Sequence, residues 1–137
     1  LTRTGLEHFM SANSGPGYAK NPAHRVQTVP ADVRIRVTFQ GEIIADTKDA
    51  IRLEEASYPP VFYIPRKDVN MALFLRTTHH TYCPYKGQAS YFTLSVEGRV
   101  EENAVWSYEQ PYDEVASIRE YLAFYPNRVD RIEALPL

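Results

Sequence analysis

From Val33 the chain alternates strictly, with Val33, Ile35, Val37 and Phe39 on one face and Arg34, Arg36 and Thr38 on the other, the period-two signature of a half-buried β-strand. Gln40-Gly41 then supplies a tight turn into Glu42-Ile43-Ile44-Ala45, which predicts a hairpin. Further short strands are expected over Ala50–Glu54, over Val61–Ile64 after Pro59-Pro60, and over Ala72–Thr77. Ala89–Val96 alternates again, with Ala89, Tyr91 and Thr93 opposed to Ser90, Phe92, Leu94 and Val96, before Glu97-Gly98 turns the chain towards Ala104–Tyr108. Pro111 and Asp113 can start a short helix over Glu114–Ile118, and Tyr121–Tyr125 and Val129–Glu133 read as closing strands. The rhythm predicts a mainly β fold of antiparallel sheets with one short helix.

Residues 1–23 break the pattern. They mix Ser, Asn, Gly and Pro without a sustained apolar period, so they are expected to form an extended or mobile N-terminal arm on which Leu6, Phe9 and Met10 could still dock. Residues 24–137 then form one domain. A chain of 137 residues with 44% hydrophobic positions can build one core. A formal net charge of -2 argues against a general nucleic-acid binder. The single cysteine, Cys83, excludes an intrachain disulfide and fits a reducing cytoplasm. No apolar run approaches the roughly 20 residues needed to cross a bilayer, and no secretory apolar core opens the chain, so no membrane association is expected.

The densest unusual chemistry lies in Cys83-Pro84-Tyr85-Lys86-Gly87, where a thiol, a phenol and an ammonium fall around a forced bend. Lys86 can hold a phosphate or carboxylate as a point charge, or it can be a solvated turn lysine. Glu54 and Glu55 precede the proline corner, and alternation sends one inward, where a carboxylate needs a partner such as Lys86 or an arginine. Trp106 and Tyr108 share a strand face that Tyr91 can join, either as core or as the wall of a pocket, with Tyr63 a further wall residue. Cys83 is either an inert core thiol or a nucleophile near Lys86, His79 and His80. His79 and His80 are adjacent on a strand and point to opposite faces, so no metal site and no cofactor are expected. Asp46 and Asp68 fit turn-capping roles, and Arg66 is positioned to pair with Asp68.

In order along the chain, Arg34-Ile35-Arg36-Val37, Gly41, Ala45-Asp46-Thr47, Glu54-Glu55, Tyr63-Ile64-Pro65-Arg66, Cys83-Pro84 with Lys86-Gly87, Ala89-Ser90-Tyr91, Trp106-Ser107-Tyr108 and Tyr121–Tyr125 resemble the mostly bacterial family catalogued as domain of unknown function 427, sometimes labelled nucleotidyltransferase-like. The resemblance covers roughly His24 to Arg131. It implies a compact β-tent-like domain, similar in architecture to Yippee-type zinc proteins, methionine-R-sulfoxide reductase B and the ligand-binding domain of cereblon. Those relatives carry paired Cys-x-x-Cys knuckles, whereas Cys83-Pro84-Tyr85-Lys86 has a lysine in the second position, so packing must replace zinc. The transferase label finds no Gly-rich phosphate loop and no paired-aspartate motif here.

Three functional readings follow. The first is a small-molecule-binding β domain for a small anionic ligand, with Lys86 and Glu54 or Glu55 at its polar end and Tyr63, Tyr91, Trp106 and Tyr108 as walls, turnover undecided. The second is an interaction or scaffold module whose aromatic cluster is ordinary core. The third, disfavoured for want of a base and an orienting residue, is a thiol enzyme using Cys83.

Overall fold

A computed structural model of the protein describes residues 12–137. In chain order these form α1 (Pro16–Lys20), β1 (Val26–Pro30), β2 (Arg34–Phe39), β3 (Glu42–Thr47), β4 (Ile51–Glu55) and β5 (Val61–Tyr63). There follow β6 (Phe74–Cys83), β7 (Gly87–Val96), β8 (Arg99–Tyr108), β9 (Ala123–Phe124) and β10 (Arg131–Leu135), linked in places by short 3-10 turns. The strands make three antiparallel sheets, in the orders β1-β4-β5, β10-β2-β3 and β6-β7-β8-β9. The mainly β expectation holds. No helix among the described residues is long and apolar enough to cross a membrane.

The alternation of β2 does what the sequence predicts. Ile35, Val37 and Phe39 are fully buried, while Arg34 and Arg36 on the other face both hold Asp46 of β3, Arg34 through Nε at 2.6 Å. Asp46 is thus an ion-pair partner rather than a turn cap. The β2–β3 hairpin turns at Gln40 and Gly41 with φ of 52° and 75°, the left-handed pair that matches strand twist.

β7 is buried along both faces because it sits between two cores. Phe92, Leu94 and Val96 enter a cluster with Ile35, Val37, Phe39, Phe74 and Phe124. Ala89 and Tyr91, of the opposite parity, enter a second cluster with Leu53, Tyr63, Tyr108, Val115 and Ile118. A strand with two covered faces is central by construction.

Several boundaries move. β6 runs to Cys83 rather than stopping at Thr77, since the long β7 offers it backbone partners as far as Gly87, with a bulge between Arg76 and His80. The expected Tyr121–Tyr125 strand shrinks to Ala123–Phe124, with Pro126 closing it off. The expected helix is replaced over Asp113–Ile118 by 3-10 turns kinked at Val115, whose φ of -125° and ψ of 31° are not helical, with Val115 and Ile118 buried.

Residues 12–23, read from sequence as part of an arm, contain α1 and dock on the β6–β7 bend. The Gly17 N–H donates to Pro84 O at 3.0 Å and the Tyr18 hydroxyl to Tyr85 O at 2.9 Å. Ser14 Oγ and the Gly15 N–H both donate to Glu114. Leu6, Phe9 and Met10 lie outside the described residues.

Candidate functional site

The Cys83–Gly87 bend connects β6 to β7 and is held from two sides. Lys86 N–H donates to Cys83 O at 3.3 Å, and Tyr112 N–H donates to Lys86 O at 3.1 Å. Gly87 has φ of 114°, and a Cβ there would stand 3.3 Å from Gln110 O, so only glycine lets the chain turn this close to the 110–112 segment. The turn aims the Lys86 side chain back over the second core rather than into solvent.

Lys86 Nζ donates to Glu55 Oε1 at 2.6 Å. The other carboxylate oxygen, Oε2, lies 2.8 Å from His24 Nε2, and the His24 ring stacks on Tyr85 with centroids 4.1 Å apart. All three side chains are partly buried, at 17% exposure for His24, 15% for Glu55 and 14% for Lys86. Burial by itself raises the Glu55 pKa, but hydrogen bonds from Lys86 and His24, with their charges, outweigh it and keep the group an anion below the usual carboxylate range. Glu54, on the opposite parity, accepts from Gln27 Nε2 at 2.7 Å and from Arg52 Nε at 2.9 Å and takes no part in this pair. Alternation at the end of β4 has sorted the two glutamates as expected, with Glu55 the inward one.

The aromatics lie beneath. Lys86 Nζ stands 5.9 Å from the Tyr108 ring centroid. Tyr91 is directly opposite Trp106 in the β7–β8 register, and Ala89 opposite Tyr108, so these side chains share one face. Trp106 Nε1 donates to the Tyr63 hydroxyl at 3.2 Å, and the Trp106 ring also packs on Tyr125 at 4.5 Å. Tyr91 OH pairs with Thr81 Oγ1 at 2.8 Å. Lys86, Glu55, Tyr63, Tyr91, Trp106 and Tyr108 therefore form one neighbourhood, and Glu54 does not join it.

Burial raises the pKa of Tyr63 and of Tyr108. For Tyr63 the hydrogen bond from Trp106 pulls the other way, and for both the charge of Glu55 and the proximity of Cys83 add to the rise. Both phenols stay protonated. Tyr63 only accepts, from Trp106, and among the described residues nothing accepts its own proton. The Tyr108 hydroxyl makes no hydrogen bond to a described residue, although the Tyr108 carbonyl accepts from Glu120 N–H at 3.0 Å. Among the described residues no fully enclosed side-chain oxygen or nitrogen lacks a partner, so the Tyr108 hydroxyl, on a residue only 6% exposed, keeps some contact with solvent.

Cys83 is half-buried and packs on the second core. No three His, Cys, Asp or Glu side chains among the described residues converge as metal ligands would. Sequence reasoning missed His24, which lies in the loop before β1 and carries no local motif. Its only sequence signal is the two-residue offset from Val26, the residue that pairs with Glu55. It also missed the partner of Arg66, which holds Glu109 through Nη2 at 2.9 Å, while Asp68 accepts from Thr47 Oγ1 at 2.7 Å and from Lys67.

No curated protein matches the chain. A family model does, across residues 27–134, a span that contains Glu55, Lys86 and every aromatic of the site but leaves His24 just outside. The chain belongs to the family described as Domain of unknown function (DUF427).

Proposed function

We propose that this domain binds a small anionic molecule at Lys86 and Tyr108. The observation that carries the reading is the partly buried Lys86 ammonium, held by Glu55 and 5.9 Å from the ring centroid of Tyr108, whose hydroxyl hydrogen-bonds to no described residue. A ligand oxygen there would accept from the phenol and compete with Glu55 for the ammonium, giving charge-assisted bonds in a partly desolvated place. Tyr63, Tyr91 and Trp106 would wall the site, and Glu55 would keep Lys86 oriented while the ligand is absent. The reading is one of binding and assigns no reaction. A thiol mechanism at Cys83 is disfavoured because Lys86, three residues away in sequence, is committed to Glu55. The interaction-module reading treats the aromatics as core, and the burial of Tyr63, Tyr91 and Tyr108 in the second cluster favours it for those three side chains.

The test is a metabolite panel read by native mass spectrometry and thermal shift on the purified chain. An anionic metabolite should be retained, with affinity falling about tenfold in Tyr108→Phe and more in Lys86→Ala, each variant first shown folded by circular dichroism. Retention of cationic or neutral compounds only, or equal affinity in both variants, would overturn the reading.

A further inference from the structure

A second concavity lies where the sheets fail to close on one another. β5 and β10 are edge strands of different sheets, and between them a groove of about 380 Å³ opens. Its inner end is made by Ile35, Val37 and Ile64, its sides include Phe62 and Trp106, and the only charged residue lining it is Arg131. The volume falls within the range of small-molecule sites.

We propose that this groove binds an amphipathic monocarboxylate, its apolar body against Ile35, Val37 and Phe62 and its carboxylate on Arg131. Three observations support this occupant. The lining offers no acidic side chain, so a buried cation would find no partner. Arg131 is 63% exposed and is held by Glu133 at 3.2 Å, an exposed pair two residues apart on one strand that is worth little and can be exchanged for a ligand carboxylate. Pro60 and Pro126 line the groove as well, and having no N–H they cannot continue a backbone ladder, which disfavours an added peptide strand. The inference is independent of the Lys86 reading.

Trp106, the only tryptophan of the chain, lies in this wall and also beside the Lys86 site, so its fluorescence reports binding and the Arg131→Gln variant assigns it to the groove. The purified chain is titrated with octanoate, octanamide and acetate, with isothermal titration as a second readout. Octanoate should bind saturably, octanamide about tenfold more weakly, and acetate not measurably. Arg131→Gln should bring octanoate down to the level of the amide, and Ile132→Phe, which fills the groove, should abolish binding. Absence of saturable octanoate binding in both readouts would overturn the proposal, as would equal binding of the amide or an Arg131→Gln variant with full affinity.

Discussion

Lys86 and Glu55, 31 residues apart in sequence, meet at 2.6 Å with their side chains only 14% and 15% exposed. The Glu55 carboxylate is bracketed, since His24 takes its second oxygen at 2.8 Å. A pair this withdrawn from water is costly to break from one side, because the surviving charge keeps its desolvation penalty and loses its partner.

Single removal of either partner should therefore destabilise the domain. Lys86→Met and Glu55→Gln are each expected to cost about 1–3 kcal/mol in urea unfolding, and the double variant less than their sum. Additive losses would mean that the two side chains are neighbours without mutual energy.

Glu109 contributes to the acid response. Hydrogen bonds from Arg76, opposed by burial and joined by Arg66, hold its carboxyl down at about 2. The folded pKa lies below the unfolded one, so the stabilisation is complete above the unfolded value near 4.5 and fades as pH falls towards 2. Carboxyl NMR titration should show Glu109 among the most acidic glutamates, and Arg76→Gln should move it upward. Titration in the ordinary range of about 4.3 in the native protein would contradict the ion-pair geometry.

The bend beside Lys86 depends on its glycine. Gly87→Ala meets both a φ of 114° and a carbonyl oxygen at 3.3 Å, and is expected to lower stability by about 1–3 kcal/mol. Gly98→Ala, at φ of 85° with nothing within 4 Å, should cost less, about 1 kcal/mol. Thermal melts of the two variants give the ranking, and the reverse order would show that contact with Gln110 is not what restricts the site.

Cys83 packs on the second core and should react slowly with iodoacetamide in the folded protein, at a rate well below that of a free thiol. Chelator treatment should leave the melting curve unchanged, since the chain's one cysteine lacks the further ligands of a closed zinc site among the described residues. Rapid labelling would restore the thiol-enzyme reading, and unfolding on chelation would restore a structural metal.

Alternation specified β2 and the two faces of β7, and the Gln40-Gly41 turn its hairpin with β3, because the side-chain period of a strand is two and neither signal needs a distant partner to be read. The sorting of Glu54 from Glu55 followed from the same rule, as did the shared face of Tyr91, Trp106 and Tyr108. Tertiary structure decided everything that depends on a second segment. It extended β6 as far as β7 could pair with it, placed α1 on the Cys83–Gly87 bend through Pro84 and Tyr85, and brought His24 to Glu55. It also gave Arg66 to Glu109 rather than to the nearby Asp68. Local sequence records which face a residue takes, whereas the partner it meets on that face is fixed by how three separate sheets pack, and that packing has no period along the chain.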